Sequence, residues 1–201
     1  MTNRNIILIL AGLFLVFGFV AWHGMRQSVA PAAQAAREVG LKEIQFRENR
    51  AYFRNESNLF SGIVMDRYGD GALKSKSDFS NGVMHGLSRG WYTNGSNQIV
   101  EHFVRGVSDG IRTKLYPSGQ KMSEAMVQSG QLQGVYRRWH ENGLLSDEVP
   151  LSNNVPHGIS RSFHADGTPN SEALMNMGVV VQQKSFKPSN KVGVALSKAS
   201  N

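Results

Sequence analysis

The sequence predicts an all-β protein: tandem β-hairpins forming an elongated antiparallel meander, preceded by one transmembrane helix. Three observations carry this expectation. Glycine recurs every 24 residues in three separate registers. Turn dipeptides divide each 24-residue unit into two segments of strand length. A charge-free stretch, Ile6 to Trp22, stands ahead of the repeats.

That stretch reads IILILAGLFLVFGFVAW, 17 residues without a charge. As a helix it would rise about 25 Å, close to the ~30 Å hydrocarbon core, with Trp22 at the interface. It is longer than the apolar region of a signal peptide, about 7–15 residues. The reading is therefore an uncleaved signal anchor over residues 1–22; cleavage at the small-residue sites Val29 to Ala33 or Ala35-Ala36 is the alternative. Arg4 precedes the segment, while Arg26, Arg37 and Lys42 follow it, so basic residues do not fix orientation. A very short leading flank stays inside, which puts the rest outside: a single-pass protein of a bacterial inner membrane with a periplasmic, extracytoplasmic repeat domain. Residues 23–40 are Ala-rich, contain Pro31 and show no strand pattern, and are read as a linker.

The repeats come next. Gly62, Gly86, Gly110, Gly134 and Gly158 form the first register. Gly71, Gly95, Gly119, Gly143 and Gly167 form the second. Gly82, Gly106, Gly130 and Gly178 form the third, with Asn154 in the vacant place. Five units follow, near 59–82, 83–106, 107–130, 131–154 and 155–178. The second register carries Asp70-Gly71, Asn94-Gly95, Ser118-Gly119, Asn142-Gly143 and Asp166-Gly167. Asn-Gly and Asp-Gly suit a two-residue type I′ turn, which needs positive φ at both central residues. The third register supplies the return turn, as in Asn81-Gly82.

This turn fixes a register. Arg137 faces Glu148, Arg161 faces Glu172, Thr113 faces Glu124, Met65 faces Lys76 and Arg89 faces Val100. Two opposite-charge pairs from turn chemistry alone favour it. It also sets Phe79 across from Gly62 and Phe103 across from Gly86, where a ring could cover bare backbone. Beside the arginines lie Leu87, Trp91, Ile111, Leu115, Val135, Trp139, Ile159 and Phe163, so this face is expected to be packed. The opposite face carries Tyr92, Tyr116, His140 and His164 at one repeat position.

Ten strands at about 4.8 Å would make a sheet about 48 Å long. The repeat domain is set at 41–182, with 41–60 as an N-terminal cap of two strands and Val179 to Val181 as an added strand. Lys184, Lys187 and Pro188 oppose further edge pairing, so 183–201 is read as a basic flexible tail.

The chemistry of the 201 residues excludes more than it offers. There is no cysteine, hence no disulfide, thiolate nucleophile or Cys-based zinc site. Four of the six histidines fall at repeat positions, and metal-ligand spacing is absent: His85 and His157 precede first-register glycines, and His140 and His164 alternate with tyrosine. No phosphate-loop string and no nucleophile–base set is present. No enzyme activity, cofactor or metal is expected. The net charge of +7 favours an anionic partner, but a basic stripe interleaved with aromatics is approached only at Arg112, Lys114, Tyr116 and Arg138, and nucleic acid is disfavoured.

The pattern G-x-x-x-x-aromatic-[Tyr/His]-x-[Asn/Asp/Ser]-G, with x-G eleven residues later, resembles the MORN-repeat variant of bacterial proteins. It stands here as Gly86…Trp91-Tyr92-Thr93-Asn94-Gly95…Gly106 and Gly134…Trp139-His140-Glu141-Asn142-Gly143, and the match spans about residues 58–178. The resemblance implies a β-hairpin array. It also implies the company that family keeps: many members are exported or membrane-anchored, some are called antitoxin-like, and related eukaryotic repeats associate with membranes and dimeric scaffolds. Asn154, Pro150 and Pro169 depart from the pattern.

The expected function is a membrane-anchored, non-enzymatic protein-interaction or scaffold module, an accessory subunit of a membrane complex. Self-association is compatible with it. Partner contacts are expected at Tyr92, Tyr116, His140, His164, Arg112 and Arg138, because aromatic and Arg side chains dominate binding hot spots. Two alternatives stand beside it. One is an antitoxin-like protein neutralising a partner toxin. The other is a binder of anionic lipid or cell-wall polymer, whose attachment would weaken with salt.

Overall fold

The computed structural model describes residues 36–187. The expected anchor at 6–22, most of the linker and the tail from 188 lie outside the described residues. Among those residues no helix is long and apolar enough to cross a membrane.

The fold is all-β. Its strands are β1 (Glu38–Gly40), β2 (Ile44–Arg47), β3 (Arg50–Phe53), β4 (Gly62–Arg67), β5 (Leu73–Ser80), β6 (Val83–Trp91), β7 (Asn97–Val104) and β8 (Val107–Ser108). They continue as β9 (Gly110–Leu115), β10 (Lys121–Gln128), β11 (Gln131–Trp139), β12 (Leu145–Ser152), β13 (Val155–Pro156), β14 (Gly158–Phe163), β15 (Pro169–Asn176) and β16 (Val179–Ser185). One sheet holds 14 of them, and β2 and β3 pair by themselves. From β4 to β16 the main path follows chain order and every pairing is antiparallel. The extra strands relative to ten arise because first-register glycines split off β8 and β13, and because β1 and β16 close the two ends.

The predicted register is present. Arg137 pairs with Glu148, Arg161 with Glu172, Thr113 with Glu124, Met65 with Lys76 and Arg89 with Val100. The turn chemistry is the reverse of the expectation. In the second register only the glycine has positive φ, as at Gly95 (83°) and Gly143 (85°). The Gly143 N–H donates to His140 O, and the His140 N–H donates to Leu144 O. This is a three-residue loop, a type I turn followed by a left-handed glycine. The type I′ turns sit in the third register, where both central residues have positive φ: Asn81-Gly82, Arg105-Gly106, Ser129-Gly130, Asn153-Asn154 and Met177-Gly178. The register survives because a one-residue bulge follows each three-residue loop, at Lys74, Gln98, Met122, Ser146 and Asn170, again every 24 residues.

A second irregularity bends the sheet. Ser77 pairs with Ser88, but Phe79 pairs with Met84, so two extra residues are taken up beside Gly86. The same excess recurs beside Gly110, Gly134 and Gly158. Gly86, Gly110 and Gly158 hold φ between 103° and 120°, outside the comfortable range of a residue with a Cβ. Gly86 pairs with Phe103, as the register predicts. A Cβ there would meet the Asp78 carboxylate at 2.7 Å, and that carboxylate accepts the Leu87 N–H at 3.0 Å. Gly62 pairs with Phe79, as the register predicts; it abuts Arg37 O and the Phe60 ring, and Phe79 packs against Phe46 and Phe60.

The packed face is also the reverse of the expectation. Val127 is fully buried, and Ala125, Ser123 and Ser108 are buried with it, all on the face opposite the Arg137–Glu148 pair. One row across that face reads Ser77, Ser88, Glu101, Arg112, Ala125, Tyr136 and Val149. Three of these seven side chains, Ser77, Ser88 and Ala125, are small.

The N-terminal end is capped. Val39, Ile44, Ala51, Phe60 and Val64 form the main apolar cluster, with Phe53 and Phe79 against it. β1 pairs in parallel with β4, and the β2–β3 hairpin is tied on by the Ala51 N–H to Gly82 O bond at 2.8 Å. β1 lies within the stretch read as linker, and β16 runs three residues into the stretch read as tail.

Candidate functional site

The side chains expected to form a binding face are internal ties. The hydroxyl of Tyr92 donates to Leu115 O at 2.9 Å and that of Tyr116 to Trp139 O at 2.8 Å. His140 Nε2 bonds Phe163 O at 2.9 Å. Tyr68, which sequence reasoning passed over, begins the series by donating to Trp91 O at 2.7 Å. Each bond reaches 23 residues ahead, from one hairpin turn to the next strand end. The turns are also linked directly: the amides of Asn94 and Asn142 donate to Pro117 O and Ala165 O. His164 occupies the same position in the last unit, and its Nε2 is buried without a partner among the described residues.

The two arginines divide. Arg112 is half-buried on the inner face; its Nε donates to Glu101 Oε1 at 2.7 Å, and Ser108 joins the pair. Arg138 is exposed, with Asp147 at 3.8 Å. The six residues therefore do not converge. With about 4.8 Å between strands, Tyr92 and His164 alone stand ~29 Å apart, six strands along the sheet.

The outer face offers the better surface. Register places Glu124, Arg137, Glu148, Arg161, Glu172 and Lys184 side by side across six strands, with charge alternating at every step. Arg137 Nε is 2.9 Å from Glu148 and Arg161 Nε is 3.0 Å from Glu172. Such exposed pairs contribute about 0.2–1 kcal/mol each. Two residues along the strands runs an apolar row: Ile111 beside Met126, then Val135, and Ile159 beside Leu174. All five are exposed, Ile111 by 55%. Among the described residues no group of three or more His, Asp and Glu side chains gathers as metal ligands would.

No protein-family model matches the chain. No curated protein matches it by sequence. Among solved structures it has a likeness to a mutant of S. aureus TarM in complex with Fondaparinux, alpha-GlcNAc-glycerol and UDP, at 12% identity and a TM-score of 0.33. That alignment covers 50% of this chain and 19% of the other, and a likeness at that level carries no argument about fold or activity.

Proposed function

We propose that the chain is a non-enzymatic protein-interaction module of MORN-like hairpin units, held at a bacterial inner membrane by the 6–22 segment and serving as an accessory subunit of a membrane complex. The observation that carries this reading is the exposed row of Ile111, Met126, Val135, Ile159 and Leu174 beside the alternating ion ladder. An apolar strip bordered by charge is the composition of a protein interface, and solvated sheet faces do not ordinarily keep one. The contact surface is thereby moved from the Tyr/His positions to the outer face.

A photo-crosslinker in place of Val135, in the full chain purified under mild detergent, should capture one defined protein. A crosslinker at Tyr136, which points to the opposite face, should not. The double variant Ile111→Glu, Ile159→Glu should lower co-purification at least ten-fold. Recovery of the chain alone from wild-type membranes would sink the proposal.

A further inference from the structure

We propose that the junction between the cap and the first type I′ turns is a binding site for a phosphate group. A recess of about 350 Å³ opens there, lined by Arg50, Ser80, Asn81, Val83, His85 and Arg105. No carboxylate lines it. Arg50 spends one N–H on Asn81 O at 3.1 Å, and neither Arg50 nor Arg105 forms an ion pair among the described residues. Two guanidinium groups facing one solvent pocket repel each other unless an anion joins them, and their planar donor forks match phosphate oxygens.

His85 is oriented for the same task. Its Nδ1 accepts the Arg105 N–H at 3.3 Å, so the neutral ring carries its proton on Nε2 and can donate to a ligand. Ser80 and Asn81 also line the recess.

The repeat supplies an internal control. One period on, the places of His85 and Arg105 are taken by Asp109 and Ser129, and the Asp109 carboxylate accepts the Ser129 N–H at 3.0 Å. The backbone tie is kept while the charge is reversed or removed. Among the described turns, only here does the recess combine histidine with two arginines, one of them from the cap. Arg105 also sits at φ 51°, at a turn position that favours Asn or Gly.

The site is independent of the outer face and of the protein-partner reading. Its test exploits the same backbone preference. Arg105→Asn removes the charge while installing a residue suited to positive φ, so the fold should be kept and its thermal midpoint unchanged or raised. Full-length chain in neutral detergent is titrated with inorganic phosphate and, separately, with dihexanoyl phosphatidic acid below its micellar concentration, following ³¹P line broadening. Saturable binding of either probe that weakens at least ten-fold in Arg105→Asn and in Arg50→Gln supports the site. Binding of inorganic phosphate identifies a free phosphate as sufficient, whereas binding of the lipid alone identifies a headgroup. No saturable binding of either probe, or binding unchanged in both variants, overturns it.

Discussion

Each residue at a repeat position answers to the backbone before it answers to any ligand, and the left-handed turn residues show this best. Asn81, Arg105, Ser129, Asn153 and Met177 are the first central residues of five equivalent turns, with φ of 48–51°. Asparagine relieves that conformation locally, and serine and methionine do so less well. Ser129→Asn is therefore expected to raise stability by about 0.5–1 kcal/mol, read as a shift in urea midpoint at unchanged slope. The Asp109 bond to the residue 129 N–H is untouched by the change. Asp66 gives a second test at this scale. Lys74, the bulged residue of its unit, places Nζ 2.9 Å from Asp66 and, by that hydrogen bond, holds the carboxyl below its usual 3.8. A depressed carboxyl stabilises the fold above its unfolded pKa and loses that contribution as pH falls through the folded one. Wild type should thus exceed Lys74→Met at neutral pH, with the difference closing below about pH 4 in parallel acid titrations.

At the level of the element, each hairpin is held by its own ladder and by a side-chain tie to the hairpin after it. Tyr116→Phe leaves the half-buried Trp139 carbonyl without its donor and should cost about 0.5–1.5 kcal/mol. His164→Phe at the equivalent place should cost nothing or stabilise, because the buried Nε2 already lacks a partner. Equal losses in the two variants would show that ring packing, not the hydrogen bond, is what matters. These ties also mark the limit of what could be read in the sequence. The period, strand pairing and both Arg–Glu pairs were legible, since turn spacing and charge opposition are one-dimensional signals. The turn types were exchanged because Asn-Gly serves both a type I′ turn and the end of a type I turn, and only φ distinguishes them. The faces were exchanged for a related reason: leucine, isoleucine and tryptophan advertise burial, yet the buried residues Ser108, Ser123, Ala125 and Val127 lie on the other side, with the Glu101–Arg112 pair. The same preference for large aromatics placed the expected binding residues on the tyrosine positions and passed over Ile111 and Ile159 as contacts.

Across the whole described array the two ends are unlike, and this should govern how it unfolds. At the N-terminal end β1, the β2–β3 hairpin and the Phe53, Phe60 and Phe79 rings bury the first unit. At the other end β16 is exposed along its full length, with Met177 at 72% and Val179, Val180 and Val181 at half or more. A meander in which each strand meets mainly its sequence neighbours has stability that sums along one dimension, so local opening should start where a neighbour is missing. Amide exchange is expected to be fastest in β16, slower in β14 and β15, and slowest around Ala51, Val64 and Val127, which are buried. Removing Arg112 provides the counter-experiment. Arg112→Ala leaves the Glu101 carboxylate, whose side chain is only 13% exposed, with the Ser108 hydroxyl but no cation, and should cost about 1–3 kcal/mol from the middle of the sheet. Exchange should then accelerate in β7, β9 and β10 while the cap keeps its protection. If wild type and variant instead exchange uniformly from cap to β16, the array opens as a single cooperative block, and the independence of its units is wrong.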